Sequence, residues 1–379
     1  MDDEILYDCA IIGGGLAGLT LSIQLAKQQY KVVLFEKEQY PFHKVCGEYI
    51  SLESRNFLER LGLPVNKMDL PIIKKLIVSS PGGTILHEQL PLGGFGISRY
   101  KIDNDLKNIA VHQGVQVIEH CKVEETNFLN DIFQLQTTAG RFKSKICCGS
   151  FGKRSNLDVK WKRSFIHKVN NKLNNYIGVK YHIQTSFATD TIALHNFKNG
   201  YCGISKIEDD KYCLCYFTNA ANLKDSGNSI EQMEKVILSK NPFLKTIFEN
   251  SQKLYEQPLS ISQISFQQKK QIEKNILMIG DAAGMITPLC GNGMSMAMHG
   301  SKIAAEIIDE FLQGKLSRKQ METNYVVQWK KTFGSRLRTG RMIQRFFGKI
   351  WVTNLFVKTM KLSPSLTRWL IRQTHGESF

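Results

Sequence analysis

The chain has 379 residues, of which 42% are hydrophobic and 22% charged, and its formal net charge is +16. That balance excludes a wholly disordered or collagen-like chain, and no run reaches the roughly 18 uninterrupted apolar residues of a spanning helix. The opening Met1-Asp2-Asp3-Glu4 is acidic where a secretory signal would be basic, and nine cysteines without a CxxC pair fit reduced, mostly buried thiols rather than a zinc cluster, so a cytosolic chain is expected.

In chain order, residues 7–12 (YDCAII) read as a strand leading into Gly13 to Gly18, and Leu16 to Gln28 as a helix with apolar positions at Leu16, Leu19, Ile23 and Ala26. Residues 31–36 (KVVLFE) are a second buried-type strand ending in Glu36, which completes a βαβ unit and implies a parallel sheet. Residues 72–78 and 84–90 flank Pro81 to Gly83 as a hairpin, a helix follows at Lys101 to His112, and a second hairpin turns at Ala139-Gly140. From 177 to 218, consecutive strands separated by turns predict an antiparallel sheet. Short helices are expected at 230–239 and 242–249, a buried strand at 275–281, and a small-residue helix from Asn292 to Leu312. The expected fold class is α/β: a Rossmann-like domain with a parallel sheet (1–70, 99–155 and 272–314) interleaved with an antiparallel β-sheet substrate domain (71–98 and 156–271). A basic helical C-terminal segment (315–379) completes the chain.

Gly13-x-Gly15-x-x-Gly18 is followed, eighteen residues after its last glycine, by Glu36. A pyrophosphate at a helix N-terminus needs a tight turn, a close backbone approach and close helix–strand packing at those three positions. An acid closing the second strand accepts from a ribose hydroxyl. With strand, helix and acid all in place the pattern reads as dinucleotide binding, and an acid at 36 favours FAD or NAD over NADP.

The stretch 276–298 (ILMIGDAAGMITPLCGNGMSMAM) places Gly280-Asp281 at a strand end, then Pro288, then Gly291-Asn292-Gly293 opening a helix. Here the chain resembles the flavoproteins built like aromatic hydroxylases and geranylgeranyl reductases. The resemblance implies FAD, with Asp281 on the ribityl chain and the Gly293 and Met294 amides against the isoalloxazine, where a helix dipole favours negative charge. KVCGEYIS, Lys44 to Ser51, is similar to the Cys-Gly-Glu segment of archaeal geranylgeranyl reductases, which places Cys46 and Gly47 beside the flavin. Arg99 in SRYKIDNDL resembles that family's Arg before an Asp-x-x-Leu helix, and Val123 sits where it presents a backbone contact to adenine. Cys46 is either a proton donor or a small packing residue, the packing role being preferred, and His43 reads as a surface or satisfied histidine rather than a catalyst. Gly13, Gly15, Ala17, Gly18, Glu36, Cys46, Gly47, Arg99, Val123, Asp281, Gly293 and Met294 are thus expected to hold or flank FAD, and no metal site is expected.

Where many relatives carry Ala-Asp-Gly-x-x-Ser, this chain has Cys148-Gly149-Ser150-Phe151-Gly152-Lys153-Arg154-Ser155, with Phe151 in place of the aspartate. That departure, and the lack of a second GxGxxG, leaves NAD(P)H without a dedicated domain, so the electron donor stays open. The halogenase signature Trp-x-Trp-x-Ile-Pro is not matched by Trp161-Lys162-Arg163-Ser164-Phe165-Ile166, which argues against halogenation. Between Thr323 and His375 there is no Asp or Glu, while eleven Lys and Arg interleave with residues such as Phe333, Phe346, Phe347, Ile350, Trp351, Leu355, Phe356 and Trp369. This segment reads either as a peripheral anchor on an anionic membrane surface or as an amphipathic cover with a solvated basic face; nucleic-acid binding has no module to support it. The expectation is a geranylgeranyl-reductase-like oxidoreductase moving hydride between flavin and a lipophilic substrate. The alternatives are a flavin monooxygenase of an aromatic or polyketide lipid and a non-catalytic flavin-bearing membrane protein.

Overall fold

The structure, a computed structural model, describes residues 5–167, 175–286, 291–346, 349–374 and 376–379, so Pro288, Cys290, Phe347 and His375 lie outside the described residues. The first sheet runs in the spatial order Ile272–Glu273, Ile276–Met278, Gly140–Gly149, Leu6–Ile12, Val32–Phe35 and Gln116–Ile118. The last five of these pair in parallel, with Cys9 opposite both Val32 and Ile146. Covered on both faces, the strands 6–12 and 32–35 are nearly all apolar, as a parallel sheet between helices requires. Helix Leu16–Lys27 packs beside helix Gly293–Leu312, joined by the Thr20 and Ser301 hydroxyls at 2.7 Å. The strands 123–129, 132–137 and 140–149 form an antiparallel meander at this sheet's margin.

The second sheet contains the expected antiparallel run, now Tyr176–Gln184, Thr191–Phe197, Gly200–Lys206 and Tyr212–Asn219, together with the hairpin Ile72–Ser79 and Ile85–Gly96. One junction is parallel: Thr191–Phe197 lies along Ile72–Ser79, pairing Ala193 with Ile77. Tyr49–Ser51, in the segment between the first βαβ unit and the hairpin, adds an edge strand to this sheet through Gly94 to Gly96. Its short length and lack of turn signals hide it from a periodicity reading.

The basic C-terminal region is three helices, Arg318–Phe346, Ile350–Leu362 and Pro364–Thr374. The first buries a stripe of Met321, Tyr325, Trp329, Phe333 and Leu337 in the same core as the parallel sheet, and the Tyr325 hydroxyl donates to the Met278 carbonyl at 2.6 Å. The other two turn back over the hairpin strand 85–96, and Phe379 ends stacked on His299 at 4.2 Å. No helix among the described residues is long and apolar enough to cross a membrane.

Candidate functional site

The glycine turn is built by close contacts. A Cβ on Gly18 would meet the Gly13 carbonyl at 2.1 Å, and one on Gly13, whose φ is +107°, would meet the Ser150 carbonyl at 2.7 Å. Ser150 then donates its hydroxyl to the Gly13 carbonyl at 2.6 Å, so the segment that lacks the relatives' aspartate still buttresses the turn. Glu36 is buried under it, accepting from the Gly14 amide at 2.9 Å and from the Glu38 amide at 3.1 Å. The Tyr40 hydroxyl donates to the Gly14 carbonyl.

Beyond the turn opens a cavity of about 360 Å³ between the two sheets. Gly15, Ala17, Cys46, Gly47, Arg99, Asp281, Gly293 and Met294 all line it, so motifs from both ends of the chain meet on one wall. Gly13, Gly18, Glu36 and Val123 lie behind that wall; the Val123 carbonyl accepts from Asn156 at 3.5 Å. A Cβ on Gly15 would come only within 3.6 Å of the Arg99 guanidinium tip, and one on Gly47 would meet nothing within 4 Å. Neither the helix starting at Leu16 nor the one starting at Gly293 is capped by the side chain of its N-cap residue. Two helix N-termini with their positive dipole ends on one cavity suit a ligand with a pyrophosphate at one end and an electron-accepting ring at the other. The residues present therefore fit FAD.

Charge reinforces this. Arg99 grips Asp103 with two hydrogen bonds of 2.8 and 2.7 Å, and Lys44 reaches the same carboxylate at 2.9 Å. Burial works to raise the Asp103 carboxyl, but the two cations hold it below its ordinary range. One acid against two bases leaves a net positive charge beside Gly15. Lys269 donates to the carbonyls of Asp281 at 2.7 Å and Lys153 at 2.8 Å, clamping the Asp281 turn; burial pushes its ammonium down to about 8 against the opposing pull of Asp281. Arg163, from the stretch compared with the halogenase signature, sits behind that turn, paired with Asp158 and donating to the Ala282 carbonyl at 3.1 Å.

A second polar group was missed in the sequence. Glu48, fully buried, accepts from the Lys180 ammonium, from His182 Nε2 at 2.6 Å and from the Arg99 amide at 2.8 Å. Burial would raise the Glu48 carboxyl, yet Lys180 and His182 hold it below its usual value. Burial would also lower Lys180, yet Glu48 holds it above its own. The signal was present: Lys180 and His182 alternate in the otherwise apolar run IGVKYHIQ, so both point to one face, and Glu48 follows Cys46-Gly47. Glu48, His182 and Cys213 bring three ligand-type atoms within 4.8 Å of one another, but the Lys180 ammonium already stands against this carboxylate as its counter-charge. His43, read as a surface or satisfied histidine, is satisfied at one nitrogen only: Nε2 shares a 2.9 Å hydrogen bond with the Tyr255 hydroxyl, while the buried Nδ1 has no hydrogen-bond partner among the described residues.

A glycine turn and an uncapped helix start face one cavity across two interleaved sheets in a Rossmann-type arrangement, and comparison with known proteins agrees on that fold. Residues 11–45 match the family of NAD(P)-binding Rossmann-like domains. Conditioned medium factor receptor 1 of Dictyostelium discoideum is 24% identical, covering 88% of this chain and 69% of that protein. A digeranylgeranylglycerophospholipid reductase of Methanococcus vannielii is 21% identical across 97% of this chain and 98% of its own length. Among solved structures, a flavin-dependent brominase superposes with a TM-score of 0.79 at 21% identity, covering 98% of this chain and 93% of that one. The chain is thus similar in sequence to a digeranylgeranylglycerophospholipid reductase and shares the fold of a flavin-dependent brominase and of a geranylgeranyl bacteriochlorophyll reductase-like protein of Thermoplasma acidophilum.

Proposed function

We propose that this chain is an FAD-dependent oxidoreductase that saturates, or in reverse desaturates, a carbon–carbon bond of a long lipophilic substrate of isoprenoid or polyketide-like character. The observation that carries the reading is the cavity itself. Its far side is the face of the second sheet, with Leu76, Leu194, Ile204 and Phe217 among the lining groups, and it is continuous with the wall of Gly15, Asp281 and Gly293. Apolar walls give a hydrocarbon chain a favourable transfer free energy of roughly 0.8 kcal/mol per buried CH₂, whereas a small charged substrate gains nothing there.

In this reading the Gly15 side of the cavity holds the pyrophosphate with help from Arg99, Asp281 accepts from the ribityl chain, and Glu36 fixes the turn and faces the adenosine ribose. Bound flavin supplies hydride transfer at N5. The protein excludes water from the apolar side and keeps Cys46, beside Arg99, at the cavity wall as packing or as a proton donor. The electron donor is an external reductant, NAD(P)H or another carrier, that docks without a domain of its own. Both the halogenase and the monooxygenase readings share the cofactor wall. Trp161 to Ile166 departs from the halogenase pattern and supplies no residue to the cavity lining, which disfavours the halogenase; the requirement for oxygen separates the reductase from the monooxygenase.

The test is anaerobic. The purified protein should be yellow with one FAD, and after chemical reduction an unsaturated prenyl lipid should reoxidise it in the absence of oxygen and appear saturated in the product. Reoxidation that requires oxygen and yields a hydroxylated lipid would replace this reading with the monooxygenase. A halide requirement would replace it with a halogenase, and a colourless protein that cannot be reconstituted would end all three.

A further inference from the structure

We infer that helices Ile350–Leu362 and Pro364–Thr374 form a membrane-docking wall, so that the cavity opens toward the acyl region of an anionic bilayer and takes its substrate from there. This rests on the lipophilic substrate proposed above, and narrows the basic region to its last two helices, because the helix before them spends its apolar stripe on the core.

Each of the two helices has two unlike faces. Inward, Val357 and Met360 pack on Leu86, Ile371 packs on Tyr49 and Leu90, and all three line the cavity. Outward, Trp351 is 68% exposed, Leu355 58%, Leu362 77% and Trp369 51%. Lys349, Lys358, Lys361, Arg368 and Arg372 are exposed around them, and the sequence places no acid between Thr323 and His375. Large apolar side chains ringed by cations, with no carboxylate on the same segment, match the interface of an anionic leaflet in both hydrophobicity and charge. With five exposed cations and no acid, the face carries a single sign, and that sign complements an anionic leaflet. The wall is fixed at both ends: Asn354 accepts from the Gly82 amide at 3.0 Å, and beyond Thr374 the Phe379 carbonyl accepts from Arg60 at 2.8 Å. The outer face is therefore held immediately over the apolar cavity, and a chain leaving the bilayer has only the thickness of one helix layer to cross.

The experiment uses the full-length, FAD-loaded protein with vesicles of phosphatidylcholine alone and of phosphatidylcholine with phosphatidylglycerol. Sedimentation should show binding to the anionic vesicles at low salt, falling as salt rises, with quenching of Trp fluorescence by brominated lipid. A Trp351→Glu/Leu355→Glu variant, altered only on the outer face, should keep its FAD absorbance and circular dichroism. It should bind on the order of tenfold more weakly or worse. That variant should also lose turnover of vesicle-embedded prenyl lipid while retaining turnover of the same lipid in detergent. Vesicle binding that is absent, or unaffected by the substitutions, overturns the inference. So does self-association abolished by the same substitutions in a protein that ignores vesicles, which would assign the face to a second copy. Intact, substitution-sensitive vesicle binding without turnover in either medium would overturn the proposed reaction and leave the docking wall standing.

Discussion

Glu48 and His182, 134 residues apart in the chain, are joined by a 2.6 Å hydrogen bond in a site closed to solvent. The contact fastens the Cys-Gly-Glu segment to the second sheet, and it continues outward through His182 Nδ1 to the Tyr255 hydroxyl and on to His43, each at 2.9 Å. It holds Gly47 and Cys46 against the second sheet, so the two sides of the cavity share one buried polar cluster.

Glu48→Gln keeps the shape of the side chain and removes its charge, leaving the Lys180 ammonium buried without a counter-charge. The expected loss is about 3–5 kcal/mol in urea unfolding, and Glu48→Gln combined with Lys180→Met should restore most of it. Equal losses in the single and double variants would mean that the pair does not stabilise the fold. The pH dependence follows from the directions of the two shifts. The lowered Glu48 carboxyl contributes stability that is present above its unfolded value and lost as acid protonates it. The raised Lys180 contributes stability that is present below its unfolded value and lost in strong alkali.

Asp281→Ala and Glu36→Ala should each weaken FAD binding by roughly 1–3 kcal/mol, measured by titration of the apoprotein, because each removes an acceptor for a ligand hydroxyl. They should differ in the absence of FAD. Glu36 also holds the Gly14 and Glu38 amides, so its loss should lower the melting temperature of the apoprotein more than that of Asp281, whose carboxylate supports only the Lys269 ammonium among the described residues.

Cys46→Ser separates the two roles open to Cys46. A proton donor is needed only after hydride transfer, so its loss would slow product formation far more than flavin reduction. Equal effects on both half-reactions, measured by stopped-flow, would assign the packing role.

Acid should destabilise the protein before its carboxylates titrate. Burial pushes His195 down to about 4, and burial with Arg336 and Lys302 pushes His299 down to about 4 as well. As pH falls from the ordinary histidine value, the unfolded chain takes up protons that the folded one refuses. Stability is therefore present above about pH 6.5 and lost toward pH 4, by roughly 3 kcal/mol for His195. His195→Gln should flatten the decline of melting temperature with pH in that window; an unchanged slope would show that His195 protonates in place.

The parts of this molecule that are local in sequence were legible there. The βαβ unit, the helix expected at Lys101 to His112 and the hairpin at Pro81 to Gly83 each follow from periodicity and turn residues within a few tens of positions, and the structure forms all three, the helix starting two residues earlier at Arg99. Gly15, Asp281 and Gly293 were matched to one ligand by motif, and the cavity brings them together. What stayed hidden is what depends on pairing at a distance. A lone glutamate after a glycine does not announce a lysine more than a hundred residues on. Nor does a basic, aromatic segment show which of its helices spends its apolar stripe on the core.

The parallel junction of Ile72–Ser79 with Thr191–Phe197, and that of Gly140–Gly149 with Ile276–Met278, bear on how the chain reaches this state. Neither sheet can be completed by contiguous chain: the first waits for residue 278, and the second needs an edge from residues 49–51. Loop closure over such separations is slow and leaves strand edges uncovered meanwhile. On the ribosome, the strand Gly140–Gly149, which fills the position beside Leu6–Ile12, would therefore emerge with its own outer edge open until residue 278 has been made. Refolding should be slow and sensitive to protein concentration, with aggregation competing until strand 276–278 docks.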